Sequence, residues 1–282
     1  MALAVPTLGV LLARSLGGPA ETVTDGAVAP GVEHVHGLGV NPADGTLYVA
    51  THFGTFRLTD DDAERVGASF QDTMGFTVVG NNHFLGSGHP DIAGLQAGQP
   101  RRLGLIESTD GGDTWRSLSL SGEVDFHALA AIHDRVYGWD STSGRFLVSS
   151  DRETWDERST LDLHGFAVDP TDPNQIVAAT PTGVQVSVDG GRSWRPVDGP
   201  PLIAVSWDAG SGLWAADADG VVAMSADGGQ TWEPQGRLPG PPQALLAHGT
   251  ILYAAAVSGD RTGIYQSTDE GETWTLRYDD QA

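Results

Sequence analysis

One pattern recurs along this chain at the spacing of a structural repeat. Ser108-Thr109-Asp110-Gly111-Gly112-Asp113-Thr114-Trp115 is followed by kindred runs from Ser187 to Trp194, Ser225 to Trp232 and Ser267 to Trp274. A copy one residue shorter runs from Ser149 to Trp155. The aspartates Asp110, Asp151, Asp189, Asp227 and Asp269 lie 41, 38, 38 and 42 residues apart, close to the length of one four-stranded propeller blade. The chemistry suits a hairpin turn. A carboxylate can accept N–H groups across the turn, glycine takes the positive φ, and tryptophan opens the next strand. Burying each indole between blades removes about 200 Å² from water, worth at most roughly 5 kcal/mol. A motif repeated around a ring cannot mark one catalytic point, so these turns read as structure.

Four short strands per unit emerge on working outward from each turn. The innermost are expected at His36 to Val40, Met74 to Val79, His127 to Ile132, His164 to Val168, Ile203 to Trp207 and Gln243 to Ala247. Second strands follow at Leu47 to Thr51, Phe84 to Gly88, Val136 to Asp140, Ile176 to Thr180, Leu213 to Asp217 and Leu252 to Ala256. The predicted fold is therefore all-β: a six-bladed β-propeller of four-stranded antiparallel blades over residues 32–282. The blades fall at about 32–70, 71–120, 121–160, 161–199, 200–238 and 239–280. Blade one lacks the turn motif and carries Thr59-Asp60-Asp61-Asp62 instead. Residues 1–31 resemble a signal peptide or anchor with a linker: Met1 to Leu12 is mostly apolar, then come Arg14 and a polar stretch. An exported protein of the cell envelope or exterior is expected, with no membrane span once mature.

Composition narrows the partners. The formal charge is −22, with fifteen arginines and no lysine, so phosphate backbones are repelled and nucleic acid is excluded as a partner. The absence of cysteine excludes disulfides, thiolate metal sites and a cysteine nucleophile.

The repeated turns resemble Asp boxes (BNR repeats), as found in sialidases, sortilin-type receptors and photosystem assembly propellers, so the resemblance implies architecture across unrelated activities. More narrowly, His34-Val35-His36-Gly37-Leu38 followed by Ala50-Thr51-His52-Phe53-Gly54 is similar to the opening of exported bacterial Asp-box proteins labelled glycosyl hydrolases. That likeness spans nearly the whole propeller and implies glycoside hydrolysis.

Aligning the blades puts His36, Met74, His127, His164, Ile203 and Gln243 at one position, the start of the innermost strand and the mouth of the central channel. A second column, at the end of the second strand, holds His52 and His89 on the same rim. With nine histidines in 282 residues, twelve such positions hold about 0.4 by chance; they hold five. Neutral imidazoles around an axis are what a transition metal needs. The soft thioether of Met74 puts copper first, with zinc and iron as alternatives. His34, Asp72, Asp125 and Asp162 stand two residues before the ring, and strand period two predicts an acidic second tier that orients the ligands. The metal set is thus His34, His36, His52, Met74, His89, His127 and His164, with a metal ion or small molecule as ligand. The protein would carry, sequester or use the ion. His83, His133 and His248 fall near turns on the opposite face and read as surface groups.

A hydrolase would instead use Asp72, Asp125 and Asp162, since a glycosidase needs two carboxylates about 5 to 9.5 Å apart. A sialidase also needs an arginine cluster, and no arginine begins an inner strand. The long Pro90 to Gly104 loop, with Arg101 and Arg102, is the candidate lid over the rim. A non-catalytic scaffold for a protein partner is the third class.

Overall fold

Each of the recurring segments has enough β-branched and small apolar residues to be buried on both faces, and each folds as a meander. The computed structural model describes residues 31–59 and 62–279. Its six sheets each hold four consecutive strands in chain order, antiparallel throughout. Blade one is Val35–Val40, Leu47–Thr51, Gly54–Leu58 and Ala63–Val66; blade two is Asp72–Gly80, His83–His89, Leu105–Ser108 and Arg116–Ser119. Blade three comprises Phe126–Ile132, Arg135–Asp140, Arg145–Ser149 and Asp156–Thr160, and blade four Gly165–Val168, Ile176–Thr180, Gly183–Ser187 and Arg195–Val197. Blade five follows with Leu202–Asp208, Gly212–Asp217, Val221–Ser225 and Glu233–Arg237, and blade six with Pro242–His248, Ile251–Ser258, Arg261–Ser267 and Thr275–Asp279. The expected six-bladed propeller is the fold. The signal-like segment and the Asp60-Asp61 pair lie outside the described residues. Among those described, the one helix is Ile92–Gln96, and none is long and apolar enough to cross a membrane.

The core is divided into six apolar layers, one between each pair of neighbouring blades. Second strands such as Leu47–Thr51 and Ile176–Thr180 are buried along their whole length, because each is covered on both faces. Blade six closes on blade one: Val35, Leu38 and Phe56 pack with Ala255, Tyr253 and Ile264. At the closure the Val35 N–H donates to Gln243 Oε1 at 2.9 Å.

The turn tryptophans divide among the other five layers. Trp115, Trp155, Trp194, Trp232 and Trp274 each pack in the layer shared with the preceding blade. Blade one has no such turn, and Tyr278 takes part in the closing layer instead. Inside each turn the aspartate collects donors. Asp189 Oδ1 accepts the Ser187 hydroxyl at 2.8 Å and the Arg192 and Ser193 N–H groups at 3.0 and 2.9 Å, while Oδ2 accepts the Ser193 hydroxyl at 2.6 Å. Such bonds favour the charged form, and the hydroxyl bond leads in holding Asp189, Asp227 and Asp269 down to about 2.

Candidate metal centre

The innermost strands share a defect that positions the site. In blade one the pairing register slips between Val35 and Gly37, leaving His36 as an extra residue. The same slip isolates Met74, His127, Ile203 and Gln243 in blades two, three, five and six. In blade four His164 precedes the inner strand, its N–H bonded to the Ala179 carbonyl at 2.8 Å. A β-bulge turns one side chain out of the sheet's alternation and re-aims it. His36, His127, His164, Ile203 and Gln243 thereby line the mouth of an axial cavity of about 290 Å³, along with apolar groups including Leu129, Val168 and Leu246. Met74 occupies the same backbone position but is not among the lining residues. The bulge also breaks period two, so Asp72 and Asp125 do not form a separate tier. They lie among the histidines.

His52 directly follows the second strand of blade one, and His89 is the last residue of the second strand of blade two. His52 Nδ1 lies 2.9 Å from Asp72 Oδ1 and 3.2 Å from His36 Nε2, and His36 Nε2 lies 3.4 Å from the same Asp72 oxygen. The other Asp72 oxygen is 3.3 Å from His89 Nδ1. On its far side His89 Nε2 reaches Asp125 Oδ2 at 3.2 Å, which is also 2.9 Å from His127 Nε2. One connected network therefore runs from blade one to blade three through two carboxylates. His34, in the left-handed region with φ of 49°, stacks its ring on His52 at 4.7 Å and meets the edge of His36 at 4.9 Å. Ligating nitrogens of His34, His36 and His52 all lie within 4.8 Å of one another.

Burial grades the network. Asp125 and His36 side chains are only 4% and 8% exposed, whereas His52 and His89 stand about two-fifths open. Desolvation is the first cause that pushes the His36 pKa below the usual histidine value, against the pull of Asp72. It likewise lowers His34, helped by His36 and His52. For Asp72, burial pushes upward, but hydrogen bonds from His36 and His52 outweigh it and the pKa falls. The result is an ionised carboxylate near two imidazoles, those of His34 and His36, that are biased to be neutral, a donor set suited to a cation.

Two other predicted residues stand apart. Asp162 is exposed and faces the turn at Gly144, whose Cβ position would be 3.7 Å from Asp162 Oδ1. His164 lines the opposite wall of the channel, and its ring makes no hydrogen bond or ion pair among the described residues. Ser141 and Asp140 were not singled out in the sequence. Ser141 occupies the blade-three position matching His52 and His89 and sets its hydroxyl 3.4 Å from Asp125 Oδ2. Asp140, fully buried, accepts the Asp125 N–H at 3.1 Å. The repeat alignment marks the Ser141 position, but a serine carries no metal signal.

On the opposite side, His83 and His133 are more than surface groups. His83 Nε2 lies 2.7 Å from buried Glu107, which also binds Arg116 and Arg152, and His133 Nε2 lies 2.8 Å from the Asp169 carbonyl. The Arg152–Glu107 and His133–Asp169 contacts tie neighbouring blades. The Pro90 to Gly104 loop holds the helix Ile92–Gln96, capped by Asp91, and Arg102 Nη1 donates to the Glu123 carbonyl at 3.4 Å.

No family model matches this chain, and no curated protein matches it. Solved structures do. A GH74 xyloglucanase from Xanthomonas campestris aligns with TM-score 0.57 and 17% identity over 88% of this chain and 45% of its own. YCF48 bound to a D1 peptide aligns at 0.54 and 15%, over 88% of this chain and 83% of that one. A chain of a nidogen/laminin complex aligns at 0.60 and 13%, over 83% and 92%. The chain spans less than half the length of the xyloglucanase. At these identities the likeness is one of propeller fold, shared by proteins whose names point to unlike roles.

Proposed function

We propose that this propeller binds a transition-metal ion at its channel mouth and works as a carrier, a sequestering protein or a metal-dependent protein of the cell envelope. The observation that supports this reading is the convergence of His34, His36 and His52 within 4.8 Å, beside an ionised Asp72. Copper, zinc and iron are the candidate ions. Copper comes first because Met74, a soft donor, shares the bulge position of His36, and nitrogen and oxygen donors also accept zinc and iron.

The test is metal analysis of the full chain purified without a histidine tag, followed by titration with copper(II), zinc(II) and iron(II). A single equivalent retained through dialysis, and lost in His36→Ala, is the expected result. A chain that retains none of these ions overturns the reading.

Glycoside hydrolysis is a second reading, favoured by one arrangement: Asp72 and Asp125 flank His89, each in contact with one of its ring nitrogens. Two carboxylates set apart across a gap are what a glycosidase requires. Turnover of chromogenic glycosides that survives chelation and disappears in Asp125→Asn would replace the metal reading. A chain with neither property would be left as a binding scaffold.

A further inference from the structure

Three heteroatoms at the mouth form a tighter triangle than the histidine trio. His36 Nε2, His52 Nδ1 and Asp72 Oδ1 are separated by 3.2, 2.9 and 3.4 Å. When the imidazole nitrogens that face the triangle are unprotonated, each of the three atoms offers a lone pair, and a cation bound among them meets all three together.

The dimensions agree with that cation. Donors held at 2.0–2.2 Å from one ion, at right angles to one another, are about 3 Å apart. All three come from one side, which leaves the opposite side of the ion unfilled by these groups. His34 is placed to cover rather than to complete the set: its ring lies nearly parallel to that of His52, at 15°, in a stack. Asp72 is also held in place from behind. Its second oxygen meets His89, and His89 is braced by Asp125, whose side chain is almost wholly buried. A ligand carboxylate fixed by an outer histidine is the arrangement that keeps a metal face rigid.

We propose that His36, His52 and Asp72 form a two-histidine, one-carboxylate face for a divalent ion of the iron(II) type, whose open positions take a small exogenous ligand. This rests on the metal-binding reading above, and it replaces the three-histidine set with a face that includes Asp72. Two imidazoles and one carboxylate with open positions are the donor set of non-haem iron(II) centres. A closed site would store an ion; an open one presents it to a ligand.

The experiment is anaerobic iron(II) titration of the full, tag-free chain, followed by nitric oxide as the probe of open positions. Wild type should bind one equivalent and give the high-spin iron-nitrosyl EPR signal. Asp72→Asn should weaken iron(II) binding by about 10-fold or more, with Asp72→Glu recovering part of it, and His34→Ala should stay within about 3-fold of wild type. Circular dichroism and melting temperature identify any variant that fails to fold, and the glutamate variant then carries the comparison.

If Asp72→Asn binds as wild type does while His34→Ala loses the ion, the three-histidine set is correct and this proposal falls alone. Iron bound without a nitrosyl signal shows a closed site and overturns the open positions. If wild type binds no metal, the proposal and the reading beneath it fall together.

Discussion

Carboxylates do opposite things at the two ends of a blade. At the periphery, Asp189 has every partner it needs within one turn: two N–H groups and two hydroxyls, none contested. Asp227 repeats that arrangement, and Asp269 keeps both hydroxyls with one N–H group. At the mouth, Asp72 has three histidines competing around two oxygens, and Asp125 leaves its Oδ1 buried without a partner among the described residues. A repeated carboxylate whose oxygens are satisfied within its own turn is a staple. A unique one whose atoms converge without satisfying each other is a place for something else.

If that contrast is right, stability and metal affinity belong to separate residues. The largest effect should come from Trp194→Ala, which empties part of the layer between blades three and four and removes the Nε1 donor to Ser159 Oγ at 2.9 Å. A loss of about 3–5 kcal/mol in denaturant unfolding is expected for such a truncation, with metal affinity unchanged within about twofold. His36→Ala should do the reverse. Next in size is the ion's own contribution: at about 100 times its dissociation constant it should stabilise wild type by about 2.7 kcal/mol. Differential scanning calorimetry should show that increment in wild type and none in His36→Ala. An equal increment in both would place the metal elsewhere.

The periphery was readable because its signal is periodic. Five turns at one spacing define the blades, and the second strand Leu47–Thr51 was expected with the bounds it has. The columns were readable for the same reason, since His36, His127 and Gln243 share one backbone position. What that position is could not be read. A bulge is a slip between two strands, visible only when the partner's register is known. Strand period two therefore set Asp72 and Asp125 in a tier of their own, whereas the slip puts them among the rings. The 4.8 Å grouping joins side chains from residues 34, 36 and 52, a short span, but Asp72 enters from the next blade.

Acid should separate the two ends further. A depressed carboxyl pKa stabilises the fold above its unfolded value, near 3.9, and that contribution is lost as pH falls through the folded value. For Asp189, Asp227 and Asp269 the folded value is about 2, so the loss falls between about pH 4 and pH 2. Asp189→Asn should flatten the fall in unfolding free energy across that window, lying below wild type above about pH 4 by the lost contribution and with no pH dependence of its own there. A fall of undiminished slope in the variant would mean that the turn carboxylates are not what fails in acid.

The smallest expected effect is the one that divides the mouth itself. His164 shares the channel wall with His36 and His127, but its ring has no carboxylate, no second imidazole and no hydrogen bond among the described residues. Blades one to three supply the connected network, and His164 belongs to blade four. His164→Ala should change iron(II), zinc(II) and copper(II) affinities by less than about twofold, against the 10-fold or greater change expected at Asp72. Equal losses at both positions would mean that the ion sits on the propeller axis, ringed by inner-strand histidines, and not off-axis between blades one and two.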